Sequence, residues 1–593
     1  MMIPRPEYPR PQFVRPVWLC LNGEWQFEID AGDSGLERGL VERELHDRIL
    51  VPFCPESTLS GIGKTDFLNV VWYRRLVTIP VDWAGQRVFL HFQAVDHDAT
   101  VWVNGQELAR HRGGFTPFCM ELPAHLSGHE ITIVVRARDP NHVPQARGKQ
   151  AQTYANASCV YTRTTGIWQT VWLEPVPEIA LCRPRLTPDV ANSLIRLVQP
   201  LSGHRAGLRL QASLRDQHGV ICTVSCETGW DLAPHLDLPI PQDRRSLWSP
   251  AHPFLYDLDI QLLDGEAVID QASSYAGLRS VSIEGKAVTL NRQRLFQRLV
   301  LDQGYYPDGI MTAPSDEALR HDIELSMAAG FNGARLHQKI FEERFLYHAD
   351  RLGYLVWSEF ADWGCGGFGP LEAHQQPGAT YITQWLEALE RDYSHPSIIG
   401  WCPLNETWQP ITDRVTVLDD VTRAVFLATK AFDPTRPVLD ASGYSHRVPE
   451  TDIYDSHDYE QDPLQFASHH APLTAGKPFI NDYQQRPISF AYRNQPYMVS
   501  EFGGIWWNAQ RDPGDSTTSW GYGAAPQSLE EFYQRFEGLC QVLLDHPDMF
   551  GYCYTQLTDV FQEQNGIYTF DRRSKFDLAH LRAMQMRPAA FER

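Results

Sequence analysis

The hydrophobic pattern of the chain changes near residue 281, and that change constrains its fold more than any other feature. Before it, apolar residues fall in short runs at 24–29, 72–79, 87–92, 99–103 and 131–136, separated by turn signals. Alternation of that kind marks half-buried strands, and Asn104-Gly105 after ATVWV is a hairpin turn pair. Pro175 and Pro177 then break the chain, and further short strands follow at 208–214, 220–226 and 255–262. Beyond 281, strand-like runs alternate with amphipathic helical ones. Ser315 with Asp316 and Glu317 opens a helix, Gly353 is placed to cap the next, and Ser528 with Glu531 has the spacing of a capping box. Eight strands are predicted, at 295–301, 331–336, 354–357, 398–404, 437–439, 452–454, 497–500 and 550–554.

These patterns predict a multidomain chain: an N-terminal β jelly roll over 1–177, an immunoglobulin-like β-sandwich over 178–280, and a (β/α)8 TIM barrel over 281–593. A length of 593 residues exceeds what one core supports, and 43% hydrophobic with 21% charged residues is a globular composition. With 52 Lys and Arg against 73 Asp and Glu, the net charge of −21 argues against nucleic acid or anionic lipid as a partner. The N-terminus MMIPRPEYPRPQFVRP carries Pro and Arg where an export signal needs an apolar run, so a cytoplasmic protein without membrane spans is expected. The eleven cysteines are scattered, Cys222 and Cys226 have no zinc-site partners, and His469-His470 reads as an isolated surface-loop pair. No metal or cofactor is expected.

In a β/α barrel, catalytic groups sit where strands end and the following loops begin. Glu406 closes HPSIIGWCPLNE after the fourth predicted strand, flanked by Asn405, Trp401 and Trp408, and Glu501 closes YMVSE after the seventh. One acidic residue at a strand end is usually a loop ion pair. Two, placed to face each other across the barrel mouth, point to paired acid/base chemistry.

Those same motifs give the chain a family likeness. HPSIIGWCPLNE, SEFGG at 500–504, and the N-terminal LNGEWQF, VWYRR, ATVWVNG and TTGIWQTVWLEPV resemble glycoside hydrolase family 2, which includes β-galactosidases, β-glucuronidases and β-mannosidases. The resemblance implies a retaining exo-β-glycosidase with Glu501 as nucleophile and Glu406 as general acid and then base, the pKa of Glu406 being raised. It implies that Asn405 holds the sugar 2-hydroxyl, that Arg335 braces Glu501, and that Tyr459 contacts the nucleophile with His457 beside it. Glu359 is expected to support the site. Asp302 and Gln303 stand where the family often has other sugar-binding residues, and Tyr554 stands where a Trp platform is usual, with Gln556 beyond. His337 follows Arg335 at shortened spacing, so sugar contact and a structural role are both open.

The resemblance also frames the choice of sugar. Glucuronidases of the family hold the substrate carboxylate with Asn-x-Lys before Gly-Ile-Phe. Anchored on Gly566-Ile567-Tyr568, this chain has Glu563 and Asn565 there, and a bare Glu would repel a uronate. A neutral sugar with a β-galactosidase-like activity is therefore expected, with a uronidase (β-glucuronidase or β-galacturonidase) or an α-L-arabinopyranosidase as alternatives. A carbohydrate-binding protein on a decayed barrel is the non-enzyme alternative. The loop 506–522, rich in Trp and Tyr, is expected either to shape the aglycone side or to pack onto the barrel. The sequence leaves open a homo-oligomer.

Overall fold

The computed structural model describes residues 3–141, 143–363, 378–483, 486–509 and 519–593. Its first module packs two antiparallel sheets. One has six strands, in the order Asp47–Val51, Gly23–Ile29, Val70–Thr78, Glu130–Arg138, Asp98–Val103 and Gln106–Arg112. The other has four: Leu19–Cys20, Val171–Val176, Arg87–Phe92 and Phe118–Leu122. Asn104 and Gly105 take φ of 49° and 80°, as the hairpin between the 98–103 and 106–112 strands requires. Trp25, Phe27, Tyr73, Leu90, Val101 and Val135 fill the space between the sheets.

The second module is a smaller sandwich. Its four-stranded sheet (Gly219–Glu227, Leu208–Asp216, Tyr256–Asp264, Ala267–Ala276) faces a three-stranded one (Arg185–Asp189, Leu194–Val198, His235–Pro239). Leu208, Leu210 and Leu214 point inward at alternate positions, each fully buried leucine contributing about 1.5–3 kcal/mol. Cys222 and Cys226 share one of these strands and are free thiols.

The third module is a barrel of parallel strands. Seven form one continuous sheet, with Gln297–Asp302 first in the chain, then Gly333–Leu336, Leu355–Glu359, Ile398–Cys402, Tyr454–Asp458, Tyr497–Gly503 and Met549–Thr555. The fifth position is filled near residue 438: Val438 bridges Trp401 in parallel, and Ser442–Tyr444 pairs with Asn405–Thr407. Of the strand predicted at 437–439 only the Val438 bridge is formed, and regular pairing resumes at Ser442–Tyr444 on the extension of the fourth strand.

Helices at Asp316–Ala328, Glu343–Leu352, Ala379–Asp392, Val417–Phe432, Pro463–His470, Leu529–Leu544 and Leu578–Gln585 accompany the strands. Ser315 caps the first of these, and Gly353, at φ 74°, ends the second. At the sixth, Ser528 accepts from the Glu531 amide, but the Glu531 carboxylate takes the Gln527 amide instead of completing a box. The full capping box belongs to Thr416 and Asp419. No helix among the described residues is long and apolar enough to cross a membrane.

The modules are joined by buried polar contacts. Glu343, on the barrel, receives Gln93 of the jelly roll at 2.7 Å and Arg183 of the sandwich at 2.9 Å. The jelly-roll connection 139–165 makes barrel contacts of its own. Arg147 and Gly148 donate backbone amides to the carbonyls of Trp363 (2.7 Å) and Ala361 (3.2 Å).

Candidate active site

The ends of the fourth and seventh barrel strands bring Glu406 and Glu501 together. With His457, from the end of the sixth, they place one ligand atom each within 4.8 Å of one another. His457 Nδ1 hydrogen-bonds Glu406 Oε1 at 2.8 Å and lies 3.5 Å from Glu501 Oε2. Its Nε2 meets the Ser442 hydroxyl at 3.1 Å. Gly443 is required beside it: at φ 65°, a Cβ there would lie 2.5 Å from the imidazole. Glu406 itself has φ 52°, an uncommon conformation for a side-chain-bearing residue, so the carboxyl is aimed by a locally strained backbone.

Glu501 is held on both oxygens. Arg335 donates to Oε1 at 3.1 Å and to the Ser500 carbonyl at 2.7 Å, and its other amino group reaches Glu359 and, at 3.1 Å, Asn405 Oδ1. Tyr459 donates its phenol to Oε2 at 2.5 Å. Burial opposes charge on Glu501, yet His457, His337, Arg335 and Lys149 outweigh it and hold the carboxyl well below the usual carboxylate range. A carboxylate so held is ionised at rest.

Glu359 sits beneath this pair, fully buried, with Arg335 on one oxygen and both His337 Nδ1 (2.8 Å) and the Gln338 amide (3.0 Å) on the other. His337 is 4.0 Å from Glu501, and its pKa is lowered, burial outweighing the nearby carboxylates. Asn405 is wholly buried, and its backbone carbonyl accepts from the Trp363 indole at 3.2 Å.

A second group lines the same mouth as a chain of hydrogen bonds. Gln303 donates to Gln556 at 2.8 Å, Gln556 to Asn565 at 2.8 Å, and Asn565 to Glu563 Oε1 at 3.1 Å. Tyr161, from the jelly-roll connection, donates to Glu563 Oε2 at 2.5 Å. Both Glu563 oxygens are thus engaged, and burial raises its pKa. Glu563 therefore has two hydrogen-bond partners that its position in the sequence did not reveal.

Two residues expected at the site lie elsewhere. Asp302 accepts from the Gly304 amide at 2.9 Å, and burial with the nearby charge of Asp322 pushes its pKa up to about 7. It belongs with Asp322, Arg572 and Lys339, while Gln303, one residue on, joins the network at the mouth. Tyr554 is wholly buried, its ring packed against Phe502 and Phe536 in the barrel core, so it offers no platform. Both errors come from strand alternation, which turns neighbouring side chains to opposite faces.

Half-buried aromatic pairs near the site come from other residues. Tyr459 stacks on Tyr522 with ring centroids 3.4 Å apart, and Trp408 stacks on Tyr444 at 3.8 Å. Of the aromatic loop 506–522, residues 510–518 lie outside the described residues. Trp507 packs toward Phe532 and Phe576 on the barrel, while Trp520 donates to the Ser158 carbonyl of the jelly-roll connection at 2.7 Å. His469 and His470 end a helix and approach Asp458 at 2.8 and 3.1 Å, so they are not a loose surface pair.

Sequence reasoning missed Lys149, Tyr161 and Trp363. The available signal was the length of the 139–165 connection, since connections that long inside a compact domain are uncommon and usually functional.

A carboxyl pair this close, at the C-terminal mouth of a β/α barrel behind two β-sandwich modules, defines a glycoside hydrolase. Three family profiles match the chain: the sugar binding domain of glycosyl hydrolases family 2 over 64–140, the family's central domain over 191–279, and its TIM barrel domain over 309–508. The chain belongs to glycosyl hydrolase family 2.

The chain is similar to a β-glucuronidase of Paenibacillus borealis, 25% identical over 461 residues, covering 73% of this chain and 74% of that protein. A β-galactosidase of Thermoanaerobacter pseudethanolicus is 23% identical over 357 residues, covering 57% of this chain and 45% of that one. Among solved structures, a β-glucuronidase of Ruminococcus gnavus superposes with a TM-score of 0.79 at 18% identity, covering 99% of each chain.

Proposed function

We propose that the protein is a retaining exo-β-glycosidase acting on terminal β-linked uronic acids, a β-glucuronidase or β-galacturonidase. The observation that carries the mechanism is the approach of Glu406 and Glu501 to within 4.8 Å. Retaining enzymes place their carboxyls about 5–5.5 Å apart, whereas inverting ones need about 6.5–9.5 Å to admit a water. In the first step Glu501 attacks the anomeric carbon as the glycosidic C–O bond breaks, and Glu406 gives its proton to the leaving oxygen. In the second, Glu406 takes a proton from water, which attacks the glycosyl ester and frees the sugar and Glu501. Asn405, anchored by Arg335, is placed to hold the sugar 2-hydroxyl, a contact that strengthens toward the transition state.

The uronide reading displaces the expected β-galactosidase-like one for two reasons. Relatives named β-glucuronidase are well represented among the similar proteins. Both Glu563 oxygens are also turned to Tyr161 and Asn565, and burial raises its pKa, which lessens the repulsion on which the neutral-sugar expectation rested. Retention of both carboxyls disfavours a binding protein on a decayed barrel. The test is a panel of 4-nitrophenyl glycosides: β-glucuronide, β-galacturonide, β-glucoside, β-galactoside, β-mannoside and α-L-arabinopyranoside. The reading expects kcat/KM to be highest for a uronide by at least about tenfold, and a neutral glycoside as best substrate refutes it.

A further inference from the structure

We infer that Lys149, carried into the barrel mouth by the jelly-roll connection, is the cationic anchor for the carboxylate of the sugar. This rests on the uronide reading above and names the residue that would confer it.

Lys149 is 6% exposed, and among the described residues its ammonium makes no hydrogen bond and no ion pair within 4 Å. The nitrogen lies 4.1 Å from the centroid of the Trp363 ring, the same indole that donates to Asn405. Other buried lysines of the barrel are satisfied. Lys339 donates to the carbonyls of Gly304 and Met311, and Lys575 pairs with Asp559 at 2.7 Å. Among the described residues Lys149 has no such partner, so an anionic group entering the mouth meets open donors.

The acids around it have partners of their own. Glu501 is held by Arg335 and Tyr459, Glu406 by His457, and Glu563 by Tyr161 and Asn565. Burial works to lower the Lys149 pKa, but Cys159, Glu406, Glu563 and Glu501 together overcome it. The side chain stays cationic, and its three donors are free for a ligand.

Its placement is built into the fold. Gly148, just before it, has φ 58°, and a Cβ there would lie 2.1 Å from the Gln338 carbonyl. The Lys149 carbonyl accepts from the Tyr161 amide at 2.7 Å, and the Ala151 amide returns to the Tyr161 carbonyl at 2.7 Å. The cation therefore sits on a hydrogen-bonded ladder docked to the barrel. The Asn-x-Lys arrangement is replaced by a lysine from another module, and its sequence neighbourhood gives no hint of this.

The test compares the wild type with Lys149→Met and Lys149→Arg on 4-nitrophenyl β-D-glucuronide, β-D-galacturonide, β-D-glucoside and β-D-galactoside, with thermal melting to check folding. The wild-type panel tests the uronide reading by itself. If the wild type prefers a neutral sugar, that reading and this inference fall together. If it prefers a uronide, the Met variant should lower the uronide-to-neutral ratio of kcat/KM about tenfold or more, chiefly through KM, with the Arg variant in between. Equal losses on both sugar classes, or an unchanged ratio, would overturn the role of Lys149 while leaving the uronide reading standing. A Met variant that fails to fold leaves Lys149→Gln, which keeps a polar side chain without the charge, to decide: a uronide-to-neutral ratio unchanged from wild type, with KM unmoved, also overturns it.

Discussion

His457 Nδ1 lies 2.8 Å from Glu406 Oε1, so the group read as the acid/base shares a hydrogen bond with a buried imidazole. Burial lowers the His457 pKa, but Glu501 and Glu406 outweigh it and raise it above the ordinary 6.5. A histidine raised on folding stabilises the protein fully below its unfolded pKa, and that contribution is lost as pH rises through the folded value. The Tm advantage of wild type over His457→Asn should therefore be largest below about pH 6.5 and shrink at higher pH. Melting curves across pH 5–9 measure it, and an advantage that grows with pH contradicts the assignment.

Tyr459 donates to the Glu501 oxygen that Arg335 leaves free. Tyr459→Phe keeps the ring, and hence the stack on Tyr522, but removes that donor. In the second step Glu501 leaves as a carboxylate, and loss of a preorganised donor to such developing charge typically costs on the order of 10²-fold in kcat. The expected outcome is a fall of that order with Tm moved by only a few degrees. Steady-state kinetics with an aryl uronide and a melting curve decide it; an unchanged kcat would mean the phenol has no part in the reaction.

Gly148→Ala tests whether the jelly-roll connection completes the site. An added methyl meets the Gln338 carbonyl at 2.1 Å in a left-handed backbone, which should destabilise this docking by about 1–3 kcal/mol. Because the loop carries Lys149 and Tyr161, kcat/KM on a uronide should fall about tenfold, more than chemical denaturation of the whole chain would suggest. Unaltered kinetics would show that the connection does not shape the site.

What the sequence made readable is local. The change from strand-only to alternating strand and helix patterns signalled the barrel, and Glu406 and Glu501 were singled out by their places at strand ends. Arg335, Glu359, His457 and Tyr459 also gather around that pair, because each ends or follows a barrel strand. Asp302 and Tyr554 were misjudged by which face of a strand they occupy, which in a barrel depends on local register. Lys149 and Tyr161 were invisible for a different reason. They reach the mouth through contacts with Gln338, Trp363 and Glu563, all distant in sequence, and no local pattern encodes a docking of that range. The partner that Glu563 finds in Tyr161 was equally hidden, at a sequence separation of 402.

The most direct test of the account is the site of covalent attachment. Wild-type protein treated with a 2-deoxy-2-fluoro-β-D-glucuronyl fluoride, digested and analysed by mass spectrometry, should carry one sugar ester on Glu501, with activity lost in step with labelling. A label on any other residue, or full inactivation-free turnover with Glu501 unmodified, would contradict it.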